Sequence, residues 1–95
     1  MADIAQALNL LTLAKGKPDG ATVPGTDLEV VSLSGKHDLS LERDLWLLVL
    51  SGEVIVDLPH GDFRMLKEGD CLHLPAGLAV SYQPLEDAVI LQRGG

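Results

Sequence analysis

The sequence predicts an all-β domain, a sandwich or a barrel of short strands. Three observations carry this expectation. From Asp27 onward apolar residues recur with a period of two, the period of a strand with one buried face. Turn residues punctuate the chain densely, separating seven or eight short strands at intervals of about 8–12 residues. That spacing leaves no room for the crossover helices of βαβ units.

Taken in order, the first fifteen residues admit two readings. Asp3 can cap a short helix through Leu13, with Ile4, Leu8 and Leu11 at i, i+4 and i+7, or Leu8 to Leu13 can be an edge strand. We favour a helical turn followed by an extended segment. Lys15 to Thr26 holds three Gly and two Pro in twelve residues, a surface loop. Leu28 to Leu33 begins the strands and stops at Gly35. Leu39 and Leu41 then alternate with Asp38, Ser40 and Glu42, as on a half-buried strand. Leu45 to Leu50 is apolar at every position and ends at Ser51-Gly52. Val54 and Val56 share one face of Glu53 to Leu58, and Pro59 to Asp62 turns the chain. Phe63 to Leu66, Cys71 to Leu74, Ala79 to Gln83 and Ala88 to Gln92 complete the strands. Turns at Lys67–Asp70, Pro75–Gly77 and Pro84–Asp87 separate them.

Composition narrows the function classes. At 95 residues and 10.1 kDa the chain is read as one domain, 1–95, with its core in 27–93 behind an N-terminal segment and loop, 1–26. Lys and Arg number 7 against 14 Asp and Glu, a net charge of −7. Such a surface cannot neutralise phosphates, so neither nucleic acid nor an anionic membrane surface is an expected partner. The one cysteine, Cys71, allows no internal disulfide, which fits a reducing cytoplasm. The apolar stretch Ala7–Ala14 follows Asp3 rather than a positive cluster, so no signal peptide is expected. The longest apolar run, Leu45–Leu50, has six residues, short of the ~20 that span a bilayer.

Two segments resemble the cupin superfamily of small jelly-roll β-barrels. Leu39 to Glu53, LSLERDLWLLVLSGE, is similar to the family's G-x5-H-x-H-x3–4-E-x6-G, and Gly69 to Val80, GDCLHLPAGLAV, to its G-x5-P-x-G-x2-H-x3-N. Gly52, Gly69, Pro75 and Gly77 match. The metal-binding positions do not: the resemblance places the Glu at Leu45, the paired His at Leu39 and Leu41, the second-motif His at Val80 and its Asn at Pro84. A divalent metal needs about four N, O or S donors, and hydrocarbon supplies none. The resemblance therefore implies a jelly-roll barrel whose metal pocket is filled, with no metal and no cofactor.

No other constellation replaces the lost site. His37 shares parity with Leu39 and Leu41 and is placed at the barrel mouth. His60 sits in a turn, and His73 alternates with Leu72 and Leu74 and so faces outward. Cys71 is expected on a buried strand, where a thiol behaves as a small hydrophobe. No serine stands in a nucleophile-elbow pattern, so no catalytic residue is assigned. The only titratable groups expected inside the barrel are His37, Tyr82 and Arg64.

If the barrel holds a pocket, its lining is expected to be Leu39, Leu41, Leu45, Leu47, Val80 and Tyr82, with His37 at the mouth. Such walls suit a small apolar ligand fixed by one or two hydrogen bonds, with Tyr82 as the polar handle. Trp46, Leu48 and Leu50 fall on the opposite face, which needs a second cover. Either the N-terminal segment, through Ile4, Leu8 and Leu11, or a partner subunit supplies it. The second case gives a homodimer through Trp46, Leu48, Leu50 and His73. Three functions stay open: a metal-free binding or interaction module, a small enzyme acting on a carbohydrate or organic acid, and a structural domain with a filled barrel.

Overall fold

The computed structural model describes residues 7–17 and 20–94. The expected cap Asp3 and the covering residue Ile4 lie outside them. The first element is a helix, α1 (Leu10–Gly16), where an extended segment was expected. Asn9 is its cap, accepting the Thr12 N–H on its side-chain oxygen at 3.0 Å, the bond that satisfies a helix's first free donors. Starting at Leu10 rotates the buried stripe: Ala14 is buried and Leu10 packs beside it, while Leu8 and Leu11 are 49% and 39% exposed.

Among the described residues nine strands follow: β1 (Ala21–Thr22), β2 (Leu28–Leu33), β3 (His37–Ser40), β4 (Leu45–Ser51), β5 (Glu53–Asp57), β6 (Phe63–Lys67), β7 (Cys71–Leu74), β8 (Ala79–Pro84) and β9 (Ala88–Gly94). Eight lie where period and turn residues put them. The ninth, β1, lies in the stretch read as loop and pairs with β2 through two residues only. The strands form two antiparallel sheets, β1-β2-β9-β4-β7 and β3-β8-β5-β6, the arrangement of a small jelly roll. Between them Leu33, Leu41, Leu45, Leu47, Val49, Val54, Val56, Leu66, Leu74, Val80, Tyr82, Ala88 and Ile90 form the core.

A second cluster lies on the outer face of the first sheet. There α1 and Val23 pack through Leu10 and Ala14 against Leu28, Val30, Val89, Leu91, Trp46, Leu48 and Leu50. The strands β2, β4 and β9 therefore carry apolar side chains on both faces, which explains the unbroken Leu45–Leu50 run. Trp46, Leu48 and Leu50 remain half-buried.

The sheet edges differ in how their backbone groups are satisfied. The Leu58 N–H donates to the Asp62 carbonyl, so by alternation Phe63, Met65 and Lys67 turn their backbone groups to the free edge of β6. Side chains and a turn occupy most of them. The Phe63 N–H donates to Asp62 Oδ1 at 2.9 Å and its carbonyl accepts from Arg64 Nη1 at 2.8 Å. The Lys67 N–H donates to Asp70 Oδ2 at 2.8 Å, and its carbonyl accepts the Asp70 N–H at 2.9 Å. β3 shows its free edge through Asp38 and Ser40, a polar edge that resists pairing. β7 has no such protection. The Val49 N–H donates to Asp70 O, so Leu72 and Leu74 face β4. The N–H and C=O groups of Cys71 and His73 face outward with no partner among the described residues.

Candidate functional site

The interior between the sheets is the natural candidate. β4 sends Leu45, Leu47 and Val49 inward, β8 sends Val80 and Tyr82, and the turn after β3 sends Leu41. Of the expected lining, Leu41, Leu45, Leu47, Val80 and Tyr82 are all 5% exposed or less. Leu39 is half-buried and packs against them. His37 is exposed at the end of the barrel closed by the turns after β2, β4, β6 and β8. Its ring centroid lies 6.4 Å from that of Tyr82, its cross-strand neighbour, tilted by 35°. Beside it an open cleft of about 400 Å³ is lined by residues 31 to 37.

Arg64 corrects the expectation for the interior. It sits on edge strand β6, where its long side chain turns out to solvent and bonds Asp62 Oδ1 at 2.7 Å. That guanidinium, with the Phe63 N–H, holds the Asp62 carboxyl below its ordinary value. Cys71 is a second correction: it is exposed, sharing the outward parity of His73 on β7. His60 occupies its turn with φ 66°. His73 points outward, and its Nε2 lies 3.4 Å from Asp44 Oδ2.

The interior keeps one buried phenol. Tyr82 is 2% exposed and its hydroxyl has no hydrogen-bond partner among the described residues. On β9, Gln92 shares the face of Ala88 and Ile90. Its Nε2 donates to Glu29 at 3.1 Å, while its buried Oε1 has no partner among the described residues. Leaving such an atom unpaired costs about 1–3 kcal/mol. Sequence reasoning singled out Tyr82 and missed Gln92, whose Glu29 partner lies 63 residues away.

Burial pushes the Tyr82 phenol far above its ordinary value of 10.0. The folded state therefore holds the phenol's proton where the unfolded chain releases it. Stability conferred by this group is whole below pH ~10 and falls as pH rises above it, by about 1.4 kcal/mol per unit. The chain has a single tyrosine, so tyrosinate absorbance should appear together with loss of near-ultraviolet circular dichroism in an alkaline titration. Tyrosinate formed in a still-folded chain would contradict this.

The two sheets, their order and their connections invite comparison with known proteins. No family model matches the sequence, and no curated protein does. Solved structures do match. A protein from Neisseria meningitidis is 18% identical with a TM-score of 0.75, covering 95% of this chain and 100% of its own. Hydroquinone 1,2-dioxygenase from Sphingomonas sp. TTNP3, with 4-hydroxybenzoate bound, is 19% identical with a TM-score of 0.76 over 92% of this chain and 74% of its own. A cupin superfamily protein from Desulfitobacterium hafniense is 19% identical with a TM-score of 0.73, covering 92% and 87%.

The chain has the cupin fold.

A cupin barrel raises the question of a metal. The positions matching the family's donors are Leu39, Leu41, Leu45 and Val80, and the last three are 5% exposed or less within the core. Side chains of carbon and hydrogen do not fit a divalent cation. Among the described residues, no group of three or more His, Cys, Asp or Glu could hold a metal ion elsewhere in the chain. Among the same residues, no helix is long and apolar enough to cross a membrane.

Proposed function

We propose that this single-domain cupin-fold chain is a cytoplasmic small-molecule binding module that works without a barrel metal and as a homodimer. The observation that carries the reading is the Tyr82 hydroxyl, buried among hydrocarbon side chains and without a partner among the described residues. A buried hydroxyl without a partner calls for one. A small, mostly apolar molecule with one hydrogen-bonding group would supply it, entering past His37 and displacing the Leu39 side of the core. The Sphingomonas structure, whose dioxygenase holds a small aromatic molecule, supports the size class. The apolar walls and the net charge of −7 favour neutral, mostly apolar ligands over sugars and phosphates. The homodimer reading rests on the half-buried Trp46, Leu48 and Leu50 beside His73, a face that α1 covers in part.

The test is a thermal-shift screen of neutral phenols, ketones and alcohols on the native chain and on Tyr82→Phe. A ligand at a hundred times its Kd stabilises by about 2.7 kcal/mol, a rise of about 10–20 °C for a domain of this size. Tyr82→Phe, relieved of the orphan hydroxyl, should be as stable as the native chain or more so without ligand, and should lose most of the shift. No shift with any compound would leave a filled, structural barrel. One tightly held transition metal per chain after dialysis against chelator would refute the metal-free reading.

A further inference from the structure

The edge of β7 combines three features that nothing above has used together. Its outward backbone groups, at Cys71 and His73, have no partner among the described residues. The side chains of the same two residues project from one face of the strand and are exposed. Behind His73, Asp44 holds the imidazole: its Oδ2 lies 3.4 Å from Nε2, while its Oδ1 accepts the Ala76 N–H at 2.9 Å. A carboxylate on one imidazole nitrogen, with the other nitrogen free, is the arrangement that stands behind metal-binding histidines.

We propose that two copies of this chain pair antiparallel through β7 and together build a zinc site from Cys71 and His73 of each. The proposal rests on the homodimer reading in that two copies associate, and it moves their contact from the Trp46 face to the β7 edge beside His73. With the two-fold axis at Leu72, Cys71 lies opposite His73 of the partner subunit and His73 opposite the partner's Cys71. The four unpaired N–H and four unpaired C=O groups then satisfy one another, two bonds per residue pair. Shifting the register by one residue either way along each strand breaks this match. Pairing Cys71 with the partner's Cys71 leaves His73 facing the turn at Gly69, and pairing His73 with the partner's His73 sets Cys71 against Pro75, which has no N–H. In the matched register, side chains directly opposite sit on Cα atoms about 5.5 Å apart, and those two residues apart on one strand about 6.5 Å apart. Two thiolates and two imidazoles at these separations make a four-donor set of the type tetrahedral Zn²⁺ prefers. Each chain alone offers only two donors, so the site is incomplete without the second copy. On binding, each Cys71 thiol gives its proton to solvent, and each His73 binds through Nδ1 while Nε2–H stays with Asp44.

The test is light scattering of the reduced native chain as Zn²⁺ is added, with Co²⁺ as a spectroscopic substitute. The mass should double from 10.1 kDa and reach its plateau at one zinc per two chains, and Co²⁺ should give the intense visible bands of tetrahedral thiolate coordination. Cys71→Ser and His73→Gln, both at exposed positions, should each abolish the zinc-driven doubling without lowering Tm. Asp44→Asn should shift it to zinc concentrations about 10–100-fold higher. Doubling that persists in Cys71→Ser, or zinc bound without a change in mass, overturns the proposal. A dimer of the metal-free chain that neither variant disturbs keeps the homodimer reading and defeats the zinc site. A monomer under every condition defeats both.

Discussion

Gly52→Ala is expected to be among the most damaging single changes available to this chain. Gly52 sits between β4 and β5 with φ +82°, a conformation that L side chains rarely adopt. A Cβ there would lie 2.8 Å from the Asp87 carbonyl oxygen and 3.0 Å from Ala88 Cα, and backbone cannot swing aside as a side chain does. The close approach follows from the register shift that carries β4 past β9 between Val49 and Ser51. Left-handed strain costs about 1–3 kcal/mol and overpacking about 1–3 more, so a loss of about 2–5 kcal/mol is expected. Gly69→Ala is the control. Its φ is +90°, yet nothing lies within 4 Å of the added Cβ, so it carries the conformational penalty alone. Urea unfolding should show Gly52→Ala losing clearly more than Gly69→Ala; equal losses would remove the backbone clash from the account.

Leu47→Ala should rival it. Leu47 is fully buried at the centre of β4, between Leu72 and Gln92 in the sheet, with the opposing sheet above it. Truncating such a leucine costs about 2–5 kcal/mol, the spread depending on how far the surroundings collapse. Folded domains of this size have only about 5–15 kcal/mol in total. Leu48→Ala makes the comparison informative, because Leu48 lies on the other face of the same strand and is half-buried in the outer cluster. The midpoint should fall further for Leu47 than for Leu48, with the denaturant slope unchanged in both. A larger loss at Leu48 would put the outer cluster, and not the space between the sheets, at the centre of the fold's stability.

The strands were legible because period two and turn chemistry act locally. Val54 and Val56 alternate with Glu53, Ile55 and Asp57 in the sequence as they do in β5. What escaped the sequence fails for particular physical reasons. β1 is two residues long, too short to show any period. Helix α1 begins one residue after Asn9, and in a leucine-rich segment the cap alone decides which leucines turn inward. Cys71 pits residue type against parity. Cysteines are usually buried, but alternation with Leu72 and Leu74 commits position 71 to the outer face, and the strand's geometry prevails. Arg64 has inward parity, yet it stands on an edge strand where the interior ends, and a guanidinium follows water. The Gln92–Glu29 contact joins β9 to β2, and no local pattern signals a pairing so distant in sequence.

The unequal edges of the two sheets govern how far self-association can go. A molecule with two receptive strands on opposite sides could add copies at both, and a chain of such contacts never closes. In this protein Asp62, Arg64 and Asp70 occupy the margin of β6, β3 presents Asp38, and β1 offers only two residues. That leaves β7 as the receptive margin, and a contact made by β7 with its own copy consumes it on both molecules at once. Growth ends at two. Removing the Asp62 and Asp70 side chains together would reopen a second margin bearing exposed Phe63 and Met65, and the same chain should then assemble into open-ended fibrils instead of discrete pairs.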